Sequence, residues 1–131
     1  APADPLGVVR TGRIDDARLK ALFVHARAFV FPSLYEGFGI PPLEAMACGC
    51  AVIASDAASI PEICGDAAGY FDPTSIASIR DALLRILRDD AWHAALREAG
   101  RARAEIFTWD ASAAQLLEHL HRFGVVTAPS R

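Results

Sequence analysis

No stretch of the 131-residue chain approaches the roughly 20 consecutive apolar residues that a membrane-spanning helix needs. The opening APADPLGVV has no basic segment followed by an apolar run, so no signal peptide is read there. Cysteine is scarce. Cys48, Cys50 and Cys64 are an odd three without the dense spacing of a disulfide scaffold, which points to a reduced, cytoplasmic chain. Cys48 and Cys50 supply two of the four ligands of a zinc site and no histidine lies near them in sequence, so no metal is expected. Positive charge is not in excess: the formal net charge is −3, which argues against nucleic acid as a partner held by bulk electrostatics. A small anion is not excluded, because a helix N-terminus holds one without net positive charge. Internal repeats and low-complexity tracts are absent as well.

What is present is a folded, apolar chain, 53% hydrophobic, long enough for one domain with a real core. Short apolar runs alternate with helical patterns. GVVRTG is a candidate first strand, and Asp15 to Ala26 reads as a helix capped by Asp15 or Asp16, with Leu19, Leu22, Phe23 and Ala26 on one face. AFVFPS is a short buried strand ended by Pro32. A helix over Pro41 to Cys48 follows, stopped by Gly49. AVIAS and AAGYFDP are the next strands, separated by a helical turn in ASIPEICG for which Ser59 is the candidate cap.

The remainder is helical. Ile76, Ile79, Leu83, Ile86 and Leu87 form one stripe, DAWHAALREAGRARAEIF makes a second helix, and Thr108 or Asp110 opens a third. The tail GVVTAPSR is expected to be loose at its end. Strands alternating with helices predict an α/β fold, a parallel sheet covered by helices on both faces. Ligands of such sheets bind beyond the carboxyl ends of the strands.

The segment YEGFGIPPLEAMACGC, Tyr35 to Cys50, falls at that edge. Gly37 and Gly39 permit backbone conformations and a close ligand approach that side chains would block. Ile40 to Leu43 then form the first turn of a helix whose N–H groups suit a phosphate or pyrophosphate. Pro41 and Pro42 bring no N–H, leaving Gly39, Ile40 and Leu43 as donors. Neither a Walker motif nor the dinucleotide fingerprint is present. Glu36 and Glu44 flank this anion site, and carboxylates there accept bonds from sugar hydroxyls. Two readings of each stand open: Glu36 as a ligand contact or a solvated turn residue, and Glu44 as a ribose contact or a partner of the helix dipole. The other polar and aromatic features read more plainly. His25, His93, His119 and His121 lack a partner for nucleophilic catalysis. Trp92, Phe107 and Trp109 read as helix packing. Arg97, Arg101 and Arg103 read as a solvated face balanced by Glu98 and Glu105.

EGFGIPPLEAMACGCAVIASDAASIPEICGDAAGYFDP and the closing FTWDASAAQLLEHL together resemble the C-terminal half of retaining GT-B glycosyltransferases, mannosyltransferase-like members of group one among them. Glu36 and Glu44 match that family's pair of glutamates separated by seven residues, and the likeness runs from about Gly7 to Leu120. The resemblance implies a Rossmann-like domain holding a nucleotide-sugar, GDP- or UDP-linked, with no cofactor and no catalytic metal. It implies that Glu36 contacts the transferred hexose, that Gly37, Phe38 and Gly39 line the sugar site, that Ile40 and its neighbours, Leu43 included, meet the pyrophosphate, and that Glu44 holds the ribose hydroxyls.

The likeness also implies an incomplete unit. The whole chain, residues 1–131, is expected to be a single, incomplete nucleotide-sugar-binding domain, part of the C-terminal half of a GT-B fold, without the acceptor domain. Arg13 and Lys20 follow the candidate first strand and are not given the role of the family's basic pair, which lies upstream of it. A glycan or lipid-linked acceptor would be held by the missing domain. The full enzyme would work in cell-envelope polysaccharide synthesis, in the cytoplasm with peripheral contact to the inner face of the membrane. The chain by itself is expected to be inactive and to self-associate. The alternative is a truncated, non-catalytic α/β module that folds and associates through its sheet edge; a small nucleotide-binding regulator rests on fold analogy alone.

Overall fold

The computed structural model describes residues 6–124; the expectation for the tail beyond Gly124 lies outside them. Helix α1 (Asp16–His25) starts where Asp15 accepts a hydrogen bond from the Arg18 amide. It leads into strand β1 (Phe29–Phe31), helix α2 (Ile40–Ala47) and strand β2 (Val52–Ser55). A short helix α3 (Ile60–Cys64) and a 3-10 turn (Gly65–Ala67) precede strand β3 (Ala68–Phe71). Helices α4 (Ile76–Arg88), α5 (Asp90–Ile106) and α6 (Trp109–Arg122) complete the chain.

The three strands are parallel, in the order β1-β2-β3, with Phe29 opposite Val52 and Val52 opposite Ala68. β2 is central and buried at every residue, as a strand covered on both faces must be. On one face Met46, Val52, Ala54, Ile60 and Cys64 pack with Phe23 of α1; on the other Ile53, Phe71, Ile86 and Leu96 pack together. Burying a side chain such as Met46 or Ile53 contributes about 1.5–3 kcal/mol. α5 serves both faces, Trp92 and Leu96 on the second and Ala99 and Ala104, with Phe107 just beyond its end, on the first. Two close approaches fix it. Gly100 lies against Met46, and Gly69 lets the Trp92 ring lie on β3, where an added Cβ would come within 2.5 Å of that ring.

Three expectations are corrected. GVVRTG forms no strand: Val8 and Val9 are 53% and 81% exposed, and among the described residues β1 has no neighbour other than β2. An apolar run becomes a strand only where a ladder partner exists. The stripes on α1 and α4 are narrower than their patterns suggest, since Leu22, Ile76 and Leu87 are exposed. Arg97 and Arg103 are not a solvated face. Arg97 donates to the Gly49 carbonyl at 2.7 Å, and Arg103 donates to the carbonyls of Ile63 and Glu62 at 2.8 and 2.6 Å.

Candidate functional site

All three strands point their carboxyl ends to one edge, and the loop after β1 lies across it. Glu36 is half-buried there, and its Oε1 accepts a hydrogen bond from the Ser33 hydroxyl at 2.8 Å. The Ser33 carbonyl accepts from the hydroxyl of Ser55, the last residue of β2 and wholly buried, at 2.5 Å. The Ser59 hydroxyl lies 2.8 Å from the Glu36 carbonyl and 3.0 Å from that of Phe38. The loop is thus tied to the end of β2 and to the start of α3.

Gly39 is the N-cap of α2, with φ 109° and ψ 49°, a left-handed conformation that explains glycine there. Cβ atoms built on Gly37 or Gly39 would meet nothing within 4 Å, so the space beside both is open. Pro41 and Pro42 occupy the first turn. The amides of Gly39 and Ile40 donate to no group among the described residues. Gly39 is itself buried and Ile40 is exposed, and a helix start with unpaired N–H groups is suited to an anion.

Glu44 is exposed, and its side chain pairs with nothing among the described residues. The helix starts at Ile40 and has no acidic residue in its first turn, so Glu44 sits in the second turn, where the dipole effect has largely faded. That weakens the purely structural reading of Glu44. It lines a cleft of about 550 Å³ with Phe38, Ile40, Leu43, Phe107 and Trp109. Glu36 does not line it. Leu43 is otherwise buried in the core, and Phe38 meets Phe107 edge to face at 5.9 Å.

The seven residues singled out in the sequence therefore lie on one edge, with Glu36 in the clamped loop and Glu44 on the open helix face. Two features were not legible. The serine contacts link segments 21–23 residues apart, and the only trace in sequence is a serine at or just beyond each strand end. Trp109, expected to pack helices, is 90% exposed at the cleft mouth. Trp92 does pack, under the Arg85 guanidinium at 4.0 Å. Among the described residues no three of His, Cys, Asp and Glu gather as a metal site.

The family model described as glycosyl transferases group 1 matches residues 7–103. The chain belongs to that family. The O-antigen chain mannosyltransferase B of Escherichia coli is 43% identical to this group 1 chain over 99 residues, which are 76% of the chain and 26% of the relative. The serotype-specific mannosyltransferase WbdA of Escherichia coli is 38% identical over 115 residues, 88% of the chain and 14% of the relative. The MMP alpha-(1->4)-mannosyltransferase of Mycolicibacterium hassiacum is 38% identical over 78% of the chain and 26% of its own length. Among solved structures, the sucrose-phosphate synthase of Thermosynechococcus elongatus superposes with a TM-score of 0.80 at 32% identity, over 94% of this chain and 32% of its own. The chain thus spans about a quarter or less of the mannosyltransferases it matches. Its fold is the Rossmann-like α/β arrangement of a GT-B glycosyltransferase, as expected from the sequence.

Proposed function

We propose that this chain is the donor-binding part of a retaining glycosyltransferase. It moves a hexosyl group, mannosyl by analogy with the relatives named above, from a GDP- or UDP-linked sugar to a glycan or lipid-linked acceptor. The acceptor is held by a further domain outside these residues, and the three free cysteines suit work on the cytoplasmic side of a membrane. One observation carries the reading: two carboxylates, Glu36 and Glu44, flank a helix start whose Gly39 and Ile40 amides are unpaired. In this reading the pyrophosphate lies on those amides, Glu44 receives the ribose hydroxyls, and Glu36 receives hydroxyls of the transferred sugar. Bonds to the sugar strengthen as charge develops during departure of the leaving group.

The test is donor affinity by calorimetry and turnover in the complete enzyme. Glu44→Gln is expected to weaken donor binding roughly 10- to 150-fold, the worth of a charge-assisted hydrogen bond. Glu36→Gln is expected to lower turnover while donor affinity changes little. Unchanged affinity in the Glu44 variant would remove its ribose role. The 131-residue chain alone is expected to transfer no sugar, because in this reading the domain that orients the acceptor and excludes water lies outside it.

A second reading, a non-catalytic module that self-associates, has its own support. β1 is an edge strand, α6 buries none of its residues, and Val9 and Leu116 are exposed. Light scattering across a concentration series decides the association, and donor binding decides between the two readings.

A further inference from the structure

We infer that Ser59, acting with Ser33 and Ser55, is a positioning residue that presents the Glu36 carboxylate to the sugar portion of the ligand. The inference rests on the donor-binding reading above. Ser59 occupies the N-cap position of α3 but makes no capping bond to its own helix. A serine there ordinarily turns its oxygen to the helix amides. Here the hydroxyl is directed out of the helix, to the carbonyls of Glu36 and Phe38. Its single proton is shared between two acceptors that bracket Gly37, so one side chain fixes the backbone on both sides of that glycine. The preceding Ala58 has φ 52°, a left-handed conformation unusual for a residue with a side chain, held where the chain turns from β2 into α3.

The other two serines complete the clamp from below. Ser55 cannot move, being wholly buried at the end of the central strand, and it grips the Ser33 carbonyl. Ser33 donates to Glu36 Oε1. The second carboxylate oxygen, Oε2, has no partner among the described residues. One oxygen is therefore held by the protein and the other is free to accept from a ligand hydroxyl, in an orientation set before the ligand arrives. Such preorganisation spares the cost of ordering a long side chain and its loop on binding.

The consequence is specific. Loosening the clamp removes the contribution of the sugar and spares that of the nucleotide, which rests on the Gly39 and Ile40 amides and on Glu44. The experiment is calorimetry on the 131-residue chain with GDP-mannose against GDP, and UDP-glucose against UDP. Ser59→Ala is expected to lower the ratio of sugar-nucleotide to nucleotide affinity about 3- to 10-fold, the worth of one neutral hydrogen bond. Nucleotide affinity stays constant, and Ser59→Thr, which keeps the hydroxyl, retains the ratio. Ser33→Ala, which removes the bond to Glu36 Oε1 and the longer one to the Tyr35 carbonyl, moves the ratio the same way and serves if Ser59→Ala fails to fold. Equal losses for nucleotide and sugar nucleotide, or no loss for either, overturn the inference. If the wild-type chain binds neither sugar nucleotide, the donor reading itself fails. The clamp is then judged by backbone order parameters: lower values at Gly37 and Phe38 in Ser59→Ala, with Ile53 and Ala54 unchanged, support it, and unaltered values at the loop overturn it.

Discussion

Helices α5 and α6 follow one another along the chain, and both carry apolar residues on one side of a polar body. α5 buries Leu96 and Gly100, packs on both faces of the sheet and fastens the loop after α2 through Arg97 and helix α3 through Arg103. α6 is opened by an equally good cap, with Thr108 accepting from the Ala111 amide, yet buries nothing; Leu116 and Leu117 are 60% and 48% exposed. The difference is that an amphipathic pattern declares a face without supplying its partner. α5 finds Met46 and the sheet within this chain. α6 finds no such surface among the described residues.

The comparison breaks most visibly in the core under α5. Met46→Ala removes a fully buried side chain that touches Gly100 and is expected to cost about 2–5 kcal/mol, measured by urea unfolding; a loss under 1 kcal/mol would mean α5 is not held as described. Gly69→Ala forces a Cβ against the Trp92 ring and Ile53, with an expected loss of about 1–3 kcal/mol. A smaller effect comes from pH. Burial beneath the α5 side of the sheet pushes the Cys64 thiol up from 9.0 to about 11. The unfolded thiol ionises first, so this contribution is complete below pH 9 and falls away as pH rises through 11. Cys64→Ala should flatten that part of the alkaline stability profile.

The caps sharpen the comparison further. Asp89→Ala removes the bond to the Trp92 amide at the start of α5 and should cost about 1 kcal/mol of global stability. Thr108→Ala removes the equivalent bond of α6 and should lower helix content while leaving the unfolding midpoint of the core in place. Smallest of all, Leu117→Ala on α6 should change stability by less than about 0.5 kcal/mol. A large loss there would show that α6 has a partner after all, a second copy being the first to look for by light scattering.

The same distinction between pattern and partner sets how far the sequence could be read. The strands in AFVFPS, AVIAS and AAGYFDP were legible because continuous apolar runs bounded by Pro, Gly or Asp suit a sheet covered on both faces, and all three pair as parallel neighbours. GVVRTG carries a similar local signal and forms no strand, since pairing is not a local property. At the site, the two glutamates and the glycine turn into α2 lie within ten residues of one another in sequence and could be placed on one edge. The serine clamp could not: Ser59 looked like a helix cap, which is where local chemistry would put it, and its hydroxyl serves a loop more than 20 residues upstream. Arg97 and Arg103 misled in the same way, their carbonyl acceptors being 48 and 40 residues distant.

The sheet order has a consequence for how the chain assembles in time. Because β1, β2 and β3 are neighbours in sequence order, β2 and β3 each find a pairing edge already made as they leave the ribosome, and among the described residues no strand must wait for a later one to separate it from its neighbour. α5 is the exception, since it reaches back to Gly49 and Ile63 and can close the structure only after the whole sheet exists. Loop closure over such separations is slow relative to local pairing. A chain in which α5 had yet to be made would therefore hold a paired sheet with Met46 uncovered, a sticky intermediate whose lifetime is set by the arrival of one helix.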